Sequence, residues 1–478
     1  MASRTPPHPV IIAGAGPCGL VAALTLKKSG IPFLIYERAS STKLCSNAGS
    51  GIDMAPTALQ ILEEKLGLSD GLDKAMRPYE YMDIADMDGG HVKTFRLKEL
   101  NATLAGRGFG FASRSMLQHA LLDALGLKDG DGNVIDDSEG VLRCGVTVTE
   151  YENKQNTDNG SEYKFVEVKL DNGTTVNGSA LLACDGIHSR VRQCMYKEVP
   201  DHLSYCGQVC WWGKLNVTPG DEIDREVKRI AEERNMQDGN IAHMVFGTKD
   251  NPFSFFTCEV RKNMYTWLLT MEKKEAPLAS SNESNDLTRR GGTTLDTGDK
   301  QRDITKLVAN SNKLVKLFME ETPAEDFTHS GFFDRANLNL GYVDGLVALL
   351  GDAAHPQSPM MGQGANMAMV DGYVVATRLS SAFKKNGSTE HNNDHTLMSS
   401  NIHQALVDFD SKERRKENNV VIRKARKYGQ WWCSRNGFVR WVLRTATKFM
   451  SGSMIFGEVL SGDKSNEQFL AAMNEDGL

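Results

Sequence analysis

Val10-Ile11-Ile12-Ala13-Gly14-Ala15-Gly16-Pro17-Cys18-Gly19, followed by Leu20–Ser29, Ile31–Tyr36 and Glu37, decides how this chain is read. The first four residues are apolar and mostly β-branched, as a buried parallel strand requires. Leu20–Ser29 carries apolar residues at helical spacing, and Ile31–Tyr36 reads as a second strand. Between strand and helix stands Gly-x-Gly-x-x-Gly. In that context the first glycine makes a tight turn, the second lets a pyrophosphate approach the backbone, and the third lets helix and strand pack closely. Glu37 stands 23 positions after Gly14, close to the roughly 20 expected of a carboxylate that binds a ribose hydroxyl. The stretch predicts a dinucleotide site.

Outward from it, Ser46–Gly51 is a second Gly-rich turn, ahead of a helix from about Pro56 to Leu66. Phe111-Ala-Ser-Arg114 opens another helix, with Ser113 as N-cap. A cation in a first turn opposes the helix dipole, so Arg114 is either surface-exposed or faces a bound anion. Lys128–Gly140 has the look of a calcium loop but misplaces its final acid and its glycine, and reads as a surface insertion. Val141–Glu150 and Phe165–Leu170 alternate like antiparallel strands, with a hairpin turn at Asp171–Gly173. Ala180–Ala183 is an apolar strand that delivers Asp185-Gly186 into the basic turn Ser189-Arg190-Val191-Arg192. Leu346–Leu350 likewise leads into Gly351-Asp352-Ala-Ala-His355-Pro-Gln-Ser-Pro359-Met-Met-Gly362-Gln-Gly364-Ala365-Asn366 and then a helix, Met367–Phe383. Alone, that segment reads as a strand–helix turn or as a backbone-lined cradle for an anionic cofactor.

From about Tyr196 to His329 the texture changes. Gly207–Val217, Ile241–Gly247, Phe253–Val260 and Met264–Glu272 look like strands of an antiparallel sheet rich in aromatics, including Trp211, Trp212, Tyr265 and Trp267. Such a face is core or a bed for an aromatic ligand. Ala279–Asp303 reads as a mobile polar insertion, Leu314–Met319 as helix, and Ile402–Tyr428 as one long charged helix. Between Lys412 and Lys448 there are 12 Lys/Arg against Glu413 and Glu417, interleaved with Trp431, Trp432 and Trp441. This fits a helical pair packed on an acidic domain, with contact to an anionic membrane surface as the alternative.

At 478 residues with a net charge of −6, the chain suits two domains and gives no reason to expect nucleic acid. Nine scattered cysteines form no CxxC pair and no metal site, and read as reduced cytoplasmic thiols. The short polar Met1–Pro9 lacks signal-peptide layout, and no window has the apolar length of a membrane span.

The ordered set resembles the single-component FAD-dependent aromatic hydroxylases, the para-hydroxybenzoate and salicylate hydroxylase-like group. Its members are Gly14-x-Gly16-x-x-Gly19 with Glu37, Arg114, Cys184-Asp185-Gly186-Ile-His-Ser189-Arg190, and Gly351-Asp352 with Pro359 and Gly362-Gln-Gly364. The resemblance runs from about residue 9 to 450. It implies an α/β fold in which a Rossmann-like FAD-binding domain (1–198 and 331–386) carries an inserted α+β, antiparallel-sheet substrate domain (199–330) and a C-terminal helical segment (400–478). Gly14, Gly16 and Gly19 would hold the FAD pyrophosphate, and Glu37, with Arg38 beside it, the adenosine ribose. Ser50 and Arg114 match flavin-contacting positions. Asp352 would bind ribityl-side hydroxyls, while Gly362, Gly364, Ala365 and Asn366 would line the isoalloxazine. Asp185 would sit where FAD and a visiting NADPH or NADH meet, and His355 would pack.

The implied reaction is hydroxylation of an aromatic or other electron-rich small molecule with NAD(P)H and O₂ through a flavin C4a-hydroperoxide. Epoxidase, Baeyer–Villiger and non-oxygenating reductase variants share the motifs. Pro359 would lie at the floor of oxygen activation. Where many relatives carry an arginine ahead of a glycine, to position a phenolate, this chain has Trp212-Gly213. That makes Trp212 a candidate substrate contact, with Tyr265 and His243 the nearest polar candidates. A monomer or homodimer is expected.

Overall fold

The computed structural model describes residues 8–46, 51–101, 108–136, 140–158, 161–199, 203–237, 239–248, 250–273, 304–335, 340–386, 395–451, 454, 463–464, 466–468 and 470–471. Ser50 and the insertion 279–303 lie outside them. Two sheets organise the described chain, and the strand–helix logic of the sequence explains the first. Val10–Ala13 pairs in parallel with Phe33–Glu37 on one side and Ala180–Ala183 on the other. Val347–Leu349 then joins Ala180–Ala183 in parallel, and Leu142–Cys144 joins Phe33–Glu37. A short antiparallel edge at Val343–Asp344 completes six strands. Three of the strands, at 10–13, 180–183 and 347–349, are buried along their whole length, which accounts for their unbroken apolar sequence.

The helix Pro17–Lys28 packs on one face of this sheet against Gly364–Asn386, which in turn carries His395–Phe409. Their side chains form the largest apolar core of the molecule. Four strand ends, leading to Gly14, Glu37, Asp185 and Asp352, therefore open on one side of the sheet. The order of strands reverses beside Val10–Ala13, and open α/β sheets bind ligands in the crevice at such a reversal.

The second sheet has seven strands, in the order Thr328–Asp334, Ser204–Asn216, Met264–Glu272, Phe253–Arg261, Ile241–Phe246, Tyr81–Asp86 and His91–Arg96. It is antiparallel except where Ile241–Phe246 runs parallel to Tyr81–Asp86. The sheet is thus not confined to residues 199–330: two strands come from the stretch before residue 198. One face is covered by Glu222–Glu233 and Lys313–Glu321 and holds a separate core of Phe253, Phe255, Trp267 and Phe318. The other face looks toward the first sheet.

The long charged helix expected over Ile402–Tyr428 is instead two helices, His395–Phe409 and Lys412–Trp432, followed by Gly437–Phe449. Ser411 makes the break, because its hydroxyl accepts the Arg414 N–H at 3.0 Å and caps a new helix start. Among the described residues, no helix is long and apolar enough to cross a membrane, and all nine cysteines are free thiols.

Candidate active site

The strand ends and the cleft-side face of the second sheet enclose one continuous cleft of about 1460 Å³. At its first wall Gly14 has φ +100°, and a Cβ there would sit 2.5 Å from the Cys184 carbonyl oxygen. A Cβ on Gly19 would meet the Gly14 carbonyl oxygen at 2.1 Å, so this glycine seals helix against turn and does not line the cleft. Gly16 is different, since a Cβ on it would meet nothing within 4 Å. It opens into the cleft at the start of Pro17–Lys28, a helix whose first turn has no side-chain cap. That start leaves backbone N–H groups for a bound anion.

Glu37 lines the cleft beside Arg38. Its carboxylate accepts the N–H groups of Ala15 and Ala39, each at 2.7 Å, which fixes it against the fingerprint turn. Arg114 opens the helix Arg114–Ala124 and also faces the cleft. Lys214 lies close by, donating to Ser113 Oγ at 3.1 Å and Ser115 Oγ at 3.0 Å. Burial first, and then the neighbouring Arg114 charge, push the Lys214 ammonium down to about 8.

Across the cleft, Asp185 Oδ2 accepts the Arg190 N–H at 2.8 Å, whereas its Oδ1 is buried with no protein partner. Solvent reaches Asp352 through the cleft, yet the surrounding protein crowds out enough water to raise its pKa against the pull of His355, Arg114 and Arg335. Pro359, Gly362, Gly364 and Ala365 line the same wall. Asn366 does not, because it is fully buried as a tie: its Oδ1 accepts the Ala55 N–H at 2.9 Å, and its Nδ2 donates to the Asp53 carbonyl at 2.7 Å and the Gly362 carbonyl at 2.8 Å.

Beneath this wall Asp371 is fully buried, accepting the Gly351 N–H at 3.0 Å, His355 Nε2 at 2.6 Å and Arg414 Nη2 at 2.8 Å. Burial would raise its pKa, but His355 and Arg414 outweigh burial and hold it down at about 2. His355 is thus a positioning group in the core below the Gly351-Asp352 turn.

At the sheet end, side-chain alternation separates the substrate candidates. Cys210, Trp212, Leu268, Ser330 and Phe332 line the cleft, and the indole N–H of Trp212 is buried without a protein acceptor. Tyr265 and His243 point to the opposite face. Trp212 pairs with Leu268, three residues from Tyr265, so Tyr265 falls on the other side and joins the core of Phe318 and Trp267. His243 pairs with Thr257, which pairs with Trp267, and its Nδ1 lies 3.4 Å from Asp83. Neither lines the cleft, which corrects the expectation that they reach substrate.

No motif or spacing singles out Asp53, which does line the cleft. It sits on the short strand Gly51–Met54, and its carboxylate accepts the Tyr79 hydroxyl at 3.1 Å. Burial raises its pKa to about 6 even though the Tyr79 bond works the other way.

These residues fit a flavin dinucleotide. The Cβ positions of Gly16 and Gly364 are open, with nothing closer than 3.7 Å to the latter. Asp185 Oδ1 and Gln357 Oε1, both on the cleft, lack protein partners. Glu37 lies at a strand end and Asp352 on the turn that follows another, as ribose and ribityl hydroxyls require.

A parallel sheet carrying a dinucleotide fingerprint thus shares one cleft with a second, mostly antiparallel sheet, an arrangement suited to a flavoprotein. The sequence profile of the FAD binding domain family matches residues 8–410, and the chain belongs to that family. It is an FAD-dependent monooxygenase of the aromatic-hydroxylase type. Among curated relatives, it is 27% identical over 371 residues to the 2-heptyl-3-hydroxy-4(1H)-quinolone synthase of Pseudomonas aeruginosa, covering 77% of this chain and 79% of that one. It is 24% identical to the aurachin C monooxygenase/isomerase of Stigmatella aurantiaca, over 93% and 95% of the two chains. Klebsiella pneumoniae HpxO, solved with FAD and uric acid, superposes with a TM-score of 0.70 at 21% identity, covering 96% of this chain and 97% of that one.

Proposed function

We propose that the protein uses NAD(P)H and O₂ to hydroxylate a flat aromatic or heteroaromatic small molecule held between Trp212 and the Pro359–Ala365 wall. The observation that carries this reading is the continuity of the cleft. The side chains of Trp212 and Phe332 and the backbone of Gly362 and Gly364 face the same space as Gly14, Glu37 and Asp352. Bound FAD supplies the electron transfer and the activation of oxygen, chemistry that no side chain provides. Glu37 and Asp352 hold its sugar and ribityl hydroxyls, and the first turn of Pro17–Lys28 receives its pyrophosphate. Asp185, on the far side, faces the approach of the nicotinamide.

The start of the helix Gly364–Asn386 directs its N–H groups at the cleft and favours negative charge there by up to ~1–2 kcal/mol. The wall of Cys210, Leu268 and Phe332 excludes water from the reacting ring, which suppresses side reactions. The buried Trp212 N–H offers one hydrogen bond to a carbonyl or hydroxyl oxygen of the substrate. Asp53, with a pKa of about 6, is placed to take a proton from a substrate hydroxyl. The place that an arginine would fill to hold a substrate anion is Trp212, so the substrate class is neutral. The quinolone product of one relative and the uric acid bound to one structural neighbour support a heteroaromatic ring. A reducing cytoplasmic setting agrees with nine free thiols.

The test is a panel of neutral and anionic aromatic compounds scored for stimulated NAD(P)H oxidation and O₂ uptake. A neutral heteroaromatic compound that raises both together supports the reading. NAD(P)H oxidation that proceeds at the same rate without oxygen overturns it.

A further inference from the structure

The helix Gly437–Phe449 lies on the surface with none of its residues buried. Two of its basic side chains tie it to the protein: Arg440 donates to the carbonyl oxygens of Gly247 and Ser434, and Arg444, itself exposed, pairs with Asp86 at 2.5 Å. Lys93 reaches the Lys448 carbonyl at 3.2 Å, so the helix rests on the strand His91–Arg96. While Val439 and Leu443 lie on its less exposed side, Phe438, Trp441, Val442 and Phe449 fall together on another side of the helix by spacing. That side faces solvent, with Phe438 70% exposed, Trp441 60% and Phe449 83%. A surface helix ordinarily buries its largest apolar side chains; here the aromatic ones are turned outward. Among the described residues, the other exposed large apolar side chains are scattered aliphatics, whereas the exposed large aromatics lie between Trp431 and Phe449.

Charge names the occupant. The segment from Lys412 to Lys448 holds 12 basic residues against two acidic ones, on a chain whose net charge is −6. Lys416, Val420, Arg423, Lys427 and Trp431 form an exposed stripe along Lys412–Trp432, and Lys427 lies 4.5 Å over the Trp431 ring. Arg435, in the turn between the two helices, is exposed. Aromatic rings flanked by exposed cations match the headgroup layer of an anionic bilayer, where indole and phenyl rings enter the acyl boundary and Lys/Arg meet lipid phosphates. A second copy of this chain would bring the same positive charge to the contact and is repelled by it.

We propose that the aromatic face of Gly437–Phe449, with the basic stripe of Lys412–Trp432, docks the protein as a peripheral protein on an anionic membrane surface. Lys412–Trp432 also packs against Pro359–Met361, so the docked surface and the active-site wall share one element. The inference stands apart from the substrate reading, because binding to lipid is measured without turnover.

The experiment is co-sedimentation of the FAD-loaded full chain with phosphatidylcholine vesicles and with phosphatidylcholine–phosphatidylserine vesicles, at low and high salt. The expected result is binding to the phosphatidylserine vesicles that weakens about tenfold with added salt and with the triple substitution Phe438→Ser, Trp441→Ser, Phe449→Ser. Flavin content is expected to stay unchanged in the triple variant. Replacing Lys427 and Arg435 together by Glu should remove the preference for phosphatidylserine. Wild-type protein that stays in the supernatant with both vesicle types overturns the proposal, as does binding that the triple substitution leaves intact. Sedimentation velocity covers self-association: a wild-type dimer that the triple variant dissociates, without vesicle binding, assigns the face to a second copy and overturns the lipid assignment.

Discussion

Asp371→Asn tests how the Gly351-Asp352 turn is held. The side chain is fully buried and accepts three hydrogen bonds, from the Gly351 N–H, His355 and Arg414. Asparagine keeps the shape but turns one acceptor into a donor, which then faces a donor, and it leaves Arg414 buried without its counter-charge. Removing one partner of a buried ion pair costs about 3–5 kcal/mol, a large share of the roughly 5–15 kcal/mol that holds a typical domain together. Linkage supplies an independent figure. The carboxylate's pKa falls from an ordinary 3.8 to about 2 on folding, which at about 1.36 kcal/mol per pH unit is on the order of 2–3 kcal/mol. Because the folded-state pKa is the lower one, this contribution is complete above pH 4 or so and is lost as pH falls toward 2. Urea titration read by tryptophan fluorescence, with bound flavin read by its visible absorbance, should show a lower midpoint and reduced FAD retention together. Arg414→Met should behave similarly, and the double variant should cost less than the two single losses combined, since the two residues act on each other. A loss below about 1 kcal/mol in Asp371→Asn would mean that the buried Asp371 network does not hold the turn.

Asp352→Ala removes the acid at the wall's first turn and should yield protein with little bound FAD; near-stoichiometric flavin after purification contradicts its role. Trp212→Ala should raise peroxide release relative to product by about tenfold, through lost substrate contact and water entry; unchanged coupling returns Trp212 to simple packing. In the wild type, kcat/KM should fall as pH drops through about 6, where Asp53 takes up a proton. Asp53→Asn should flatten that limb and lower the rate by about 10²-fold, and an unaltered pH profile removes Asp53 from the chemistry.

Much of this architecture is legible along the chain because its determinants are local. The fingerprint from Val10 to Glu37 needs only its own strand, turn and helix, and the Asp185 and Asp352 turns each follow an apolar strand that announces them. What the sequence hides depends on register or on distant partners. Alternation says that half of the aromatics at 211–267 are buried but not which half meets the cleft. Only the pairing of Trp212 with Leu268 sends Tyr265 and His243 to the far face. Asp53 matters because the Pro359–Gly362 loop folds over it, a Cβ on Gly362 falling 2.4 Å from its Oδ2, and no spacing rule links residues so far apart. The two strands between Tyr81 and Arg96 join the second sheet through a parallel pairing with Ile241–Phe246 that local periodicity cannot show. That the aromatics of Gly437–Phe449 face solvent is a tertiary fact that local pattern does not show.

Transfer of oxygen from O₂ to an aromatic ring in this cleft is measured most directly by turnover under ¹⁸O₂ with the compound that best stimulates NAD(P)H oxidation. The expected result is one labelled oxygen atom in the product for each NAD(P)H consumed, and no product when oxygen is withheld. Product oxygen drawn from water, or NAD(P)H oxidation that proceeds undiminished without oxygen, would contradict it.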